Sequence, residues 1–139
     1  MTPVQALQKA LAAEHAAVFL YGLLGAQSSQ SRQPELFSRL TSAYTAHRAA
    51  RDELTVLVAA RGSDPVASKT DYEVPGATTT PAQIQAVARL VESRVTSTYG
   101  ELVGNTAGRD RRWAIAAVEA SALRELTFGT APSDFPGLR

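Results

Sequence analysis

The sequence predicts an all-α fold: one antiparallel four-helix bundle built from two copies of a helical hairpin. Three observations predict it. Four segments carry apolar residues at helical spacing, the connections between them run short, long, short, and the first and third segments repeat one another.

The first helix is expected over about 3–25, with Val4, Leu7, Leu11, Val18 and Tyr21 on one stripe. Thr2-Pro3-Val4-Gln5 reads as a capping box with proline at the first helical position. The second runs over about 34–61, with Phe37, Leu40, Tyr44, Leu54 and Val58. The third runs over about 81–103 and opens with the same device, Thr80-Pro81-Ala82-Gln83; Val87, Val91, Val95, Tyr99 and Leu102 lie close to one face. The fourth runs over about 110–128, with Ile115, Ala122 and Leu126 as its inward stripe. Gly62, Gly104 and Gly129 stand where C-caps are expected. Pro132 and Pro136 prevent the tail from continuing the last helix. No window alternates like a strand. The whole chain, 1–139, reads as one domain.

The long connection, Ser63 to Thr79, is rich in Pro, Gly, Ser and Thr. Extended, it reaches roughly 55 Å at ~3.3 Å per residue. Each helix spans roughly 35–40 Å at ~1.5 Å per residue. The segment is therefore long enough to cross over from one end of a bundle to the other between helices two and three.

An offset of 78 residues places Thr2-Pro3-Val4-Gln5 on Thr80-Pro81-Ala82-Gln83, Glu14 on Glu92, and Tyr21-Gly22 on Tyr99-Gly100. An offset of 72 matches the second and fourth helices more weakly, placing His47 on Glu119 and Glu53-Leu54 on Glu125-Leu126. The two hairpins are then related by a pseudo-two-fold axis, and equivalent residues sit at equivalent depths.

That relation brings out a polar layer. Glu14 lies on the Leu7, Leu11, Val18 seam, and His47 follows Leu40 and Tyr44. Glu92 shares a face with Ala88, Val95 and Tyr99, and Glu119 with Ile115, Ala122 and Leu126. Each is mid-helix, so the four are expected at one level. Burying three carboxyl groups is costly unless they are protonated, paired or bound to a cation. Three carboxylates and an imidazole form an oxygen/nitrogen set suited to iron, manganese or zinc. Tyr21, Tyr44 and Tyr99 are placed to hydrogen-bond the carboxylates from outside.

The layout resembles the ferritin-like superfamily, and in particular an uncharacterised bacterial domain-of-unknown-function branch of it. The similarity spans the chain and includes Ala13-Glu14-His15-Ala16-Ala17 and Asp134-Phe135-Pro136-Gly137-Leu138. It implies a single Glu on two helices and a Glu-x-x-His on each of the other two in the di-metal members. Glu14 and Glu92 match the single-Glu positions. The second helix offers Tyr44-x-x-His47, without the glutamate; the fourth offers Glu119-x-x-Ala122, without the histidine. With two of six ligands missing, the resemblance supports the fold better than an activity.

Other classes of function find little footing. A formal charge of +1, from 14 basic and 13 acidic residues, gives no electrostatic case for nucleic acid or an anionic membrane. The absence of cysteine excludes disulfides, thiolate metal sites and cysteine nucleophiles. The opening residues have no signal-peptide pattern and no stretch is long enough for a membrane helix, so a cytoplasmic location is expected. Arginine greatly outnumbers the two lysines, Lys9 and Lys69, usage that points to a GC-rich bacterial genome. Arg109, Arg111, Arg112 and Trp113 read as a solvated helix start with the indole capping the core. Arg48 and Arg51 flank the layer, and one of them is a candidate to turn inward and neutralise it. His15, rotated ~100° from Glu14, reads as a boundary residue.

Three functions follow. The first is a non-catalytic module that acts by association, as a homodimer, with no cofactor and a relic polar core. The second is a metal-binding protein or metal-dependent oxidoreductase, holding iron or manganese on Glu14, His47, Glu92 and Glu119. The third is a binder of an unidentified small molecule, which needs a cavity of roughly 300 Å³ or more beside the layer. The two missing ligands favour the first.

Overall fold

Thr2 and Thr80 each close a capping box, and both boxes start a helix at the proline that follows. The computed structural model describes residues 1–138, which form α1 (Pro3–Gln27), α2 (Pro34–Ala59), α3 (Pro81–Asn105) and α4 (Gly108–Thr127). No strand occurs among the described residues. The four helices are compatible with a four-helix bundle.

The starts of α1, α2 and α3 fall where the sequence places them, whereas α1 runs on to Gln27, α2 stops at Ala59, and the α3–α4 turn is built differently. Gly104 does not cap the third helix; α3 continues to Asn105, and Thr106 caps it, with its hydroxyl donating to the Leu102 carbonyl at 2.6 Å. The helix persists because that hydroxyl satisfies a carbonyl left open at the end. The fourth helix begins at Gly108, two residues earlier than expected. Gly129 does terminate it: its φ of 94° lets Thr130 N–H reach back to the Glu125 carbonyl at 3.0 Å.

Helix α1 packs against α2 and α3, and α3 against α4, whereas α2 meets α3 and α4 only briefly. The core runs through Leu7, Leu11, Leu24, Leu40, Leu54, Ala88 and Leu102, all fully buried. Cross-links show how the helices lie. Gln8, near the start of α1, bonds Ser63 and Asp64 beyond the end of α2. Lys9 pairs with Glu101 near the end of α3. Arg61 pairs with Asp110, joining the end of α2 to the start of α4.

The 60–80 connection travels along the outside of α1. Val66 N–H donates to Gln8 Oε1 at 2.8 Å, and the Val66 carbonyl lies 2.9 Å from His15 Nε2. Tyr72 then packs its ring on Phe19, 5.4 Å between centroids. His15 therefore fastens the crossover, as a residue at the boundary of the core.

The stripe expected to turn α4 inward faces out instead. Ile115 and Leu126 are exposed, while Ala114, Ser121, Glu125 and Phe128 are buried. Phe128 explains the difference. It is the largest apolar side chain at that end, is 1 % exposed, and packs on Tyr21. Ile115 and Leu126 lie on another face, so turning them inward would carry Phe128 out of its contact with Tyr21 and Ala114, Ser121 and Glu125 out of the core. An offset of 74, not 72, then superposes the inner faces of α2 and α4: Leu40 on Ala114, His47 on Ser121, Leu54 on Phe128.

Candidate functional site: a histidine bridging two glutamates

Glu14, His47 and Glu92 meet in the middle of the core, each with no exposure to solvent. His47 Nδ1 lies 2.6 Å from Glu14 Oε2, and Nε2 lies 2.8 Å from Glu92 Oε1. Tyr21 donates its hydroxyl to Glu92 Oε1 at 2.7 Å, and Tyr99 donates to Glu14 Oε1. Arg124 Nε donates to Glu92 Oε1 at 3.1 Å. The Tyr21 ring also stacks on the His47 ring, 5.1 Å between centroids. The repeat accounts for the exchange: each hairpin's tyrosine serves the other hairpin's glutamate.

Burial by itself would pull the His47 imidazole down, since an apolar interior disfavours charge. Glu14 and then Glu92 overcome it, and His47 is raised from 6.5 to about 9. The ring is an imidazolium at neutral pH, and both N–H groups donate. For Glu92, burial pushes the carboxyl up, but the hydrogen bond and charge of His47, then Arg124 and Tyr21, carry it below its ordinary value. Burial and the facing glutamates hold both tyrosines protonated well above their ordinary range.

The expected four-residue layer is corrected in two places. Glu119 does not join it; the side chain is exposed on the outer face of α4, a consequence of the turn imposed by Phe128. Tyr44 does not serve the carboxyl groups either. It is half-buried, with the Arg48 guanidinium 5.6 Å from its ring centroid. Nor does Arg48 or Arg51 neutralise the layer: Arg51 pairs with Asp52. Arg124 does so, and sequence reasoning missed it. The offset of 74 would have found it, because it puts Arg124 one turn beyond the His47-equivalent Ser121. Ser121 itself accepts a 2.9 Å bond from Thr96. Glu125, also buried, was missed for the same reason.

The residues present do not fit a di-metal centre. An imidazole ligates through a lone pair, and both His47 nitrogens are engaged by carboxyl oxygens. Among the described residues, no group of three or more His, Cys, Asp or Glu side chains is arranged to hold a metal ion. One buried oxygen, Glu92 Oε2, has no hydrogen-bond partner. The set is a salt-linked network whose two cations, His47 and Arg124, stand against two glutamates.

A second feature adjoins it. The brief contact of α2 with α4 leaves a trough between them. One part, about 310 Å³, is lined by Ser38, Arg39, Ser42, Arg124 and Phe128. The next, about 390 Å³, is lined by Tyr99, Trp113, Glu53 and several alanines. Ala46 and Arg124 border both.

The closing segment is held against α3. A Cβ on Gly100 would stand 2.9 Å from the Gly137 carbonyl oxygen, and one on Gly137 2.7 Å from the Thr96 carbonyl oxygen. Gly137 also has φ 84°, a backbone region that favours glycine.

Among solved structures, the chain resembles a conserved hypothetical protein of Mycobacterium tuberculosis, rv2844. They share 27 % identity over 91 % of this chain and 93 % of that one, with a TM-score of 0.84. No curated protein matches. No helix among the described residues is long and apolar enough to cross a membrane. The profile of a domain of unknown function, DUF4439, matches residues 6–139, which is nearly the whole chain, and the chain belongs to that family.

Proposed function

We propose that the protein is an antiparallel, ferritin-like helical module that performs no metal chemistry and acts by association, as a cytoplasmic homodimer. The observation that carries this reading is the His47 bridge. A ferritin-like core holds its central carboxylates with metal ions. Here the imidazolium and the Arg124 guanidinium take that electrostatic role, so the layer is neutralised by the chain itself.

With the interior closed in this way, the outer face of α4 is the surface left to act. Leu123 is 63 % exposed, Leu126 41 % and Ile115 43 %, and Phe135 of the tail is 70 % exposed. Leu123, Leu126, Pro132 and Pro136 border a surface groove of about 380 Å³. An apolar stripe along one helix is self-complementary about a two-fold axis, the arrangement of most homodimers.

Two measurements on one preparation test the reading: elemental analysis after anaerobic loading with iron or manganese, and mass by light scattering. The expected result is a metal-free dimer that becomes a monomer in Leu123→Glu/Leu126→Glu. About one bound ion per chain, lost in His47→Ala, would establish a working metal site and overturn the first half. A dimer untouched by the two substitutions would overturn the second.

A further inference from the structure

We infer that the trough between α2 and α4 is a binding site for a small amphiphile with a single anionic head, a carboxylate or phosphate monoester. The inference rests on the shape and charge of the trough, and it stands whether or not two chains pair through α4.

The two ends differ in chemistry. At one end Arg39 and Arg124 face the same space, with the hydroxyls of Ser38 and Ser42 beside them. Arg39 Nε is buried there without a hydrogen-bond partner. An unpartnered buried donor is costly, and an anion supplies its acceptor. Arg124 has given its Nε to Glu92, and its side chain is still 21 % exposed. A guanidinium carries five N–H donors, so others remain for a ligand.

The other end is apolar. Ala49, Ala50 and Ala117, with the rings of Tyr99 and Trp113, form its walls. The alanines leave the space that larger side chains would fill, and the rings offer flat contact area. From Arg39 to Ala50 the trough follows three turns of α2, roughly 16 Å at ~1.5 Å per residue. Its two parts, about 310 and 390 Å³, are together within the usual range for small-molecule sites. Glu53 lies at this far end and accepts from Trp113 Nε1. A negative group there repels a second anionic head, so the site selects a ligand charged at one end only.

Trp113 is the sole tryptophan and lines the trough, so its fluorescence reports binding directly. The probes are decanoate, decyl phosphate, decanol and decanedioate, each below its aggregation concentration, added to the full chain. Decanoate or decyl phosphate is expected to shift Trp113 emission saturably, and whichever binds tighter identifies the head. Decanol, which lacks the charge-assisted hydrogen bond, and decanedioate, whose second carboxylate would face Glu53, are each expected to bind at least ~10-fold more weakly. Arg39→Gln is expected to weaken the anion by ~10-fold or more, with unchanged helicity. Ala46→Leu, which fills the junction of the two parts, is expected to block all four probes. No saturable signal from either anion overturns the proposal, as does decanoate binding that survives Arg39→Gln. Equal binding of decanol would show an apolar slot without an anion site, which also overturns it.

Discussion

Tyr21 donates its hydroxyl to Glu92 at 2.7 Å, across from α1 to α3, and the repeat partner Tyr99 returns the same bond to Glu14. Neither glutamate is served by the tyrosine of its own helix. The repeat is therefore visible in the hydrogen bonds, while the position of α4 that matches His47 holds Ser121 and not a second histidine. Removing the Tyr99 hydroxyl strands Glu14 Oε1, whereas Glu92 Oε1 keeps His47 and Arg124 when the Tyr21 hydroxyl is removed. Tyr99→Phe is expected to cost about 1–3 kcal/mol in denaturant unfolding and Tyr21→Phe about 0.5–1.5 kcal/mol. Because both glutamates lean on the same imidazolium, the double variant should depart from additivity by about 0.5 kcal/mol or more. Losses that simply add would show that the two halves are independent.

The pH dependence follows from the same ring. His47 is raised in the folded state to about 9 from an ordinary 6.5. Its contribution is full below pH 6.5 and is lost as pH rises through about 9. Glu92 is lowered, so its contribution is present above the ordinary glutamate value and is lost as pH falls through its folded value. The melting temperature should hold a plateau from about pH 5 to 6.5 and fall on both sides, the alkaline fall continuing to about pH 9. In His47→Leu the alkaline fall should vanish. An alkaline fall that persists would place its origin elsewhere.

Glu92 and Glu119 were expected in one buried layer with Glu14 and His47, and the structure separates them, Glu92 buried and Glu119 exposed. Glu92→Ala leaves His47 and Arg124 without their shared acceptor and is expected to cost about 3–5 kcal/mol, the scale of a broken buried pair. Glu119→Ala lies on an exposed face and should stay within about ±0.5 kcal/mol. Similar losses from the two would restore Glu119 to the core.

How legible this was depends on what each residue type records. Capping boxes and helical spacing act locally, so α1 and α3 were readable to within two residues, and Glu14 and Glu92 came with them through the ungapped repeat. Helix α4 was misread because it carries two apolar stripes, and periodicity alone does not say which one is buried. The choice was made by Phe128 at its end, a contact with Tyr21 that is distant in sequence. Arg124 was hidden for the same reason, since an arginine on a helix reads as solvated until the facing glutamate is known.

The tail makes a separate prediction. Gly137→Ala puts a Cβ against the Thr96 carbonyl, and Gly100→Ala puts one against Gly137. Either should lift the closing segment from α3 and speed proteolytic cleavage near Phe135, with helix content unchanged. Cleavage at the parental rate would show that the contact does not hold the tail.

The central claim is that a protonated His47 fills the place of a metal ion. The most direct measurement is nitrogen-15 NMR of the imidazole rings, with His15 as the only other histidine. The account predicts that both His47 nitrogens carry protons at pH 7 and that one is lost only near pH 9. A bare nitrogen at pH 7 would contradict it.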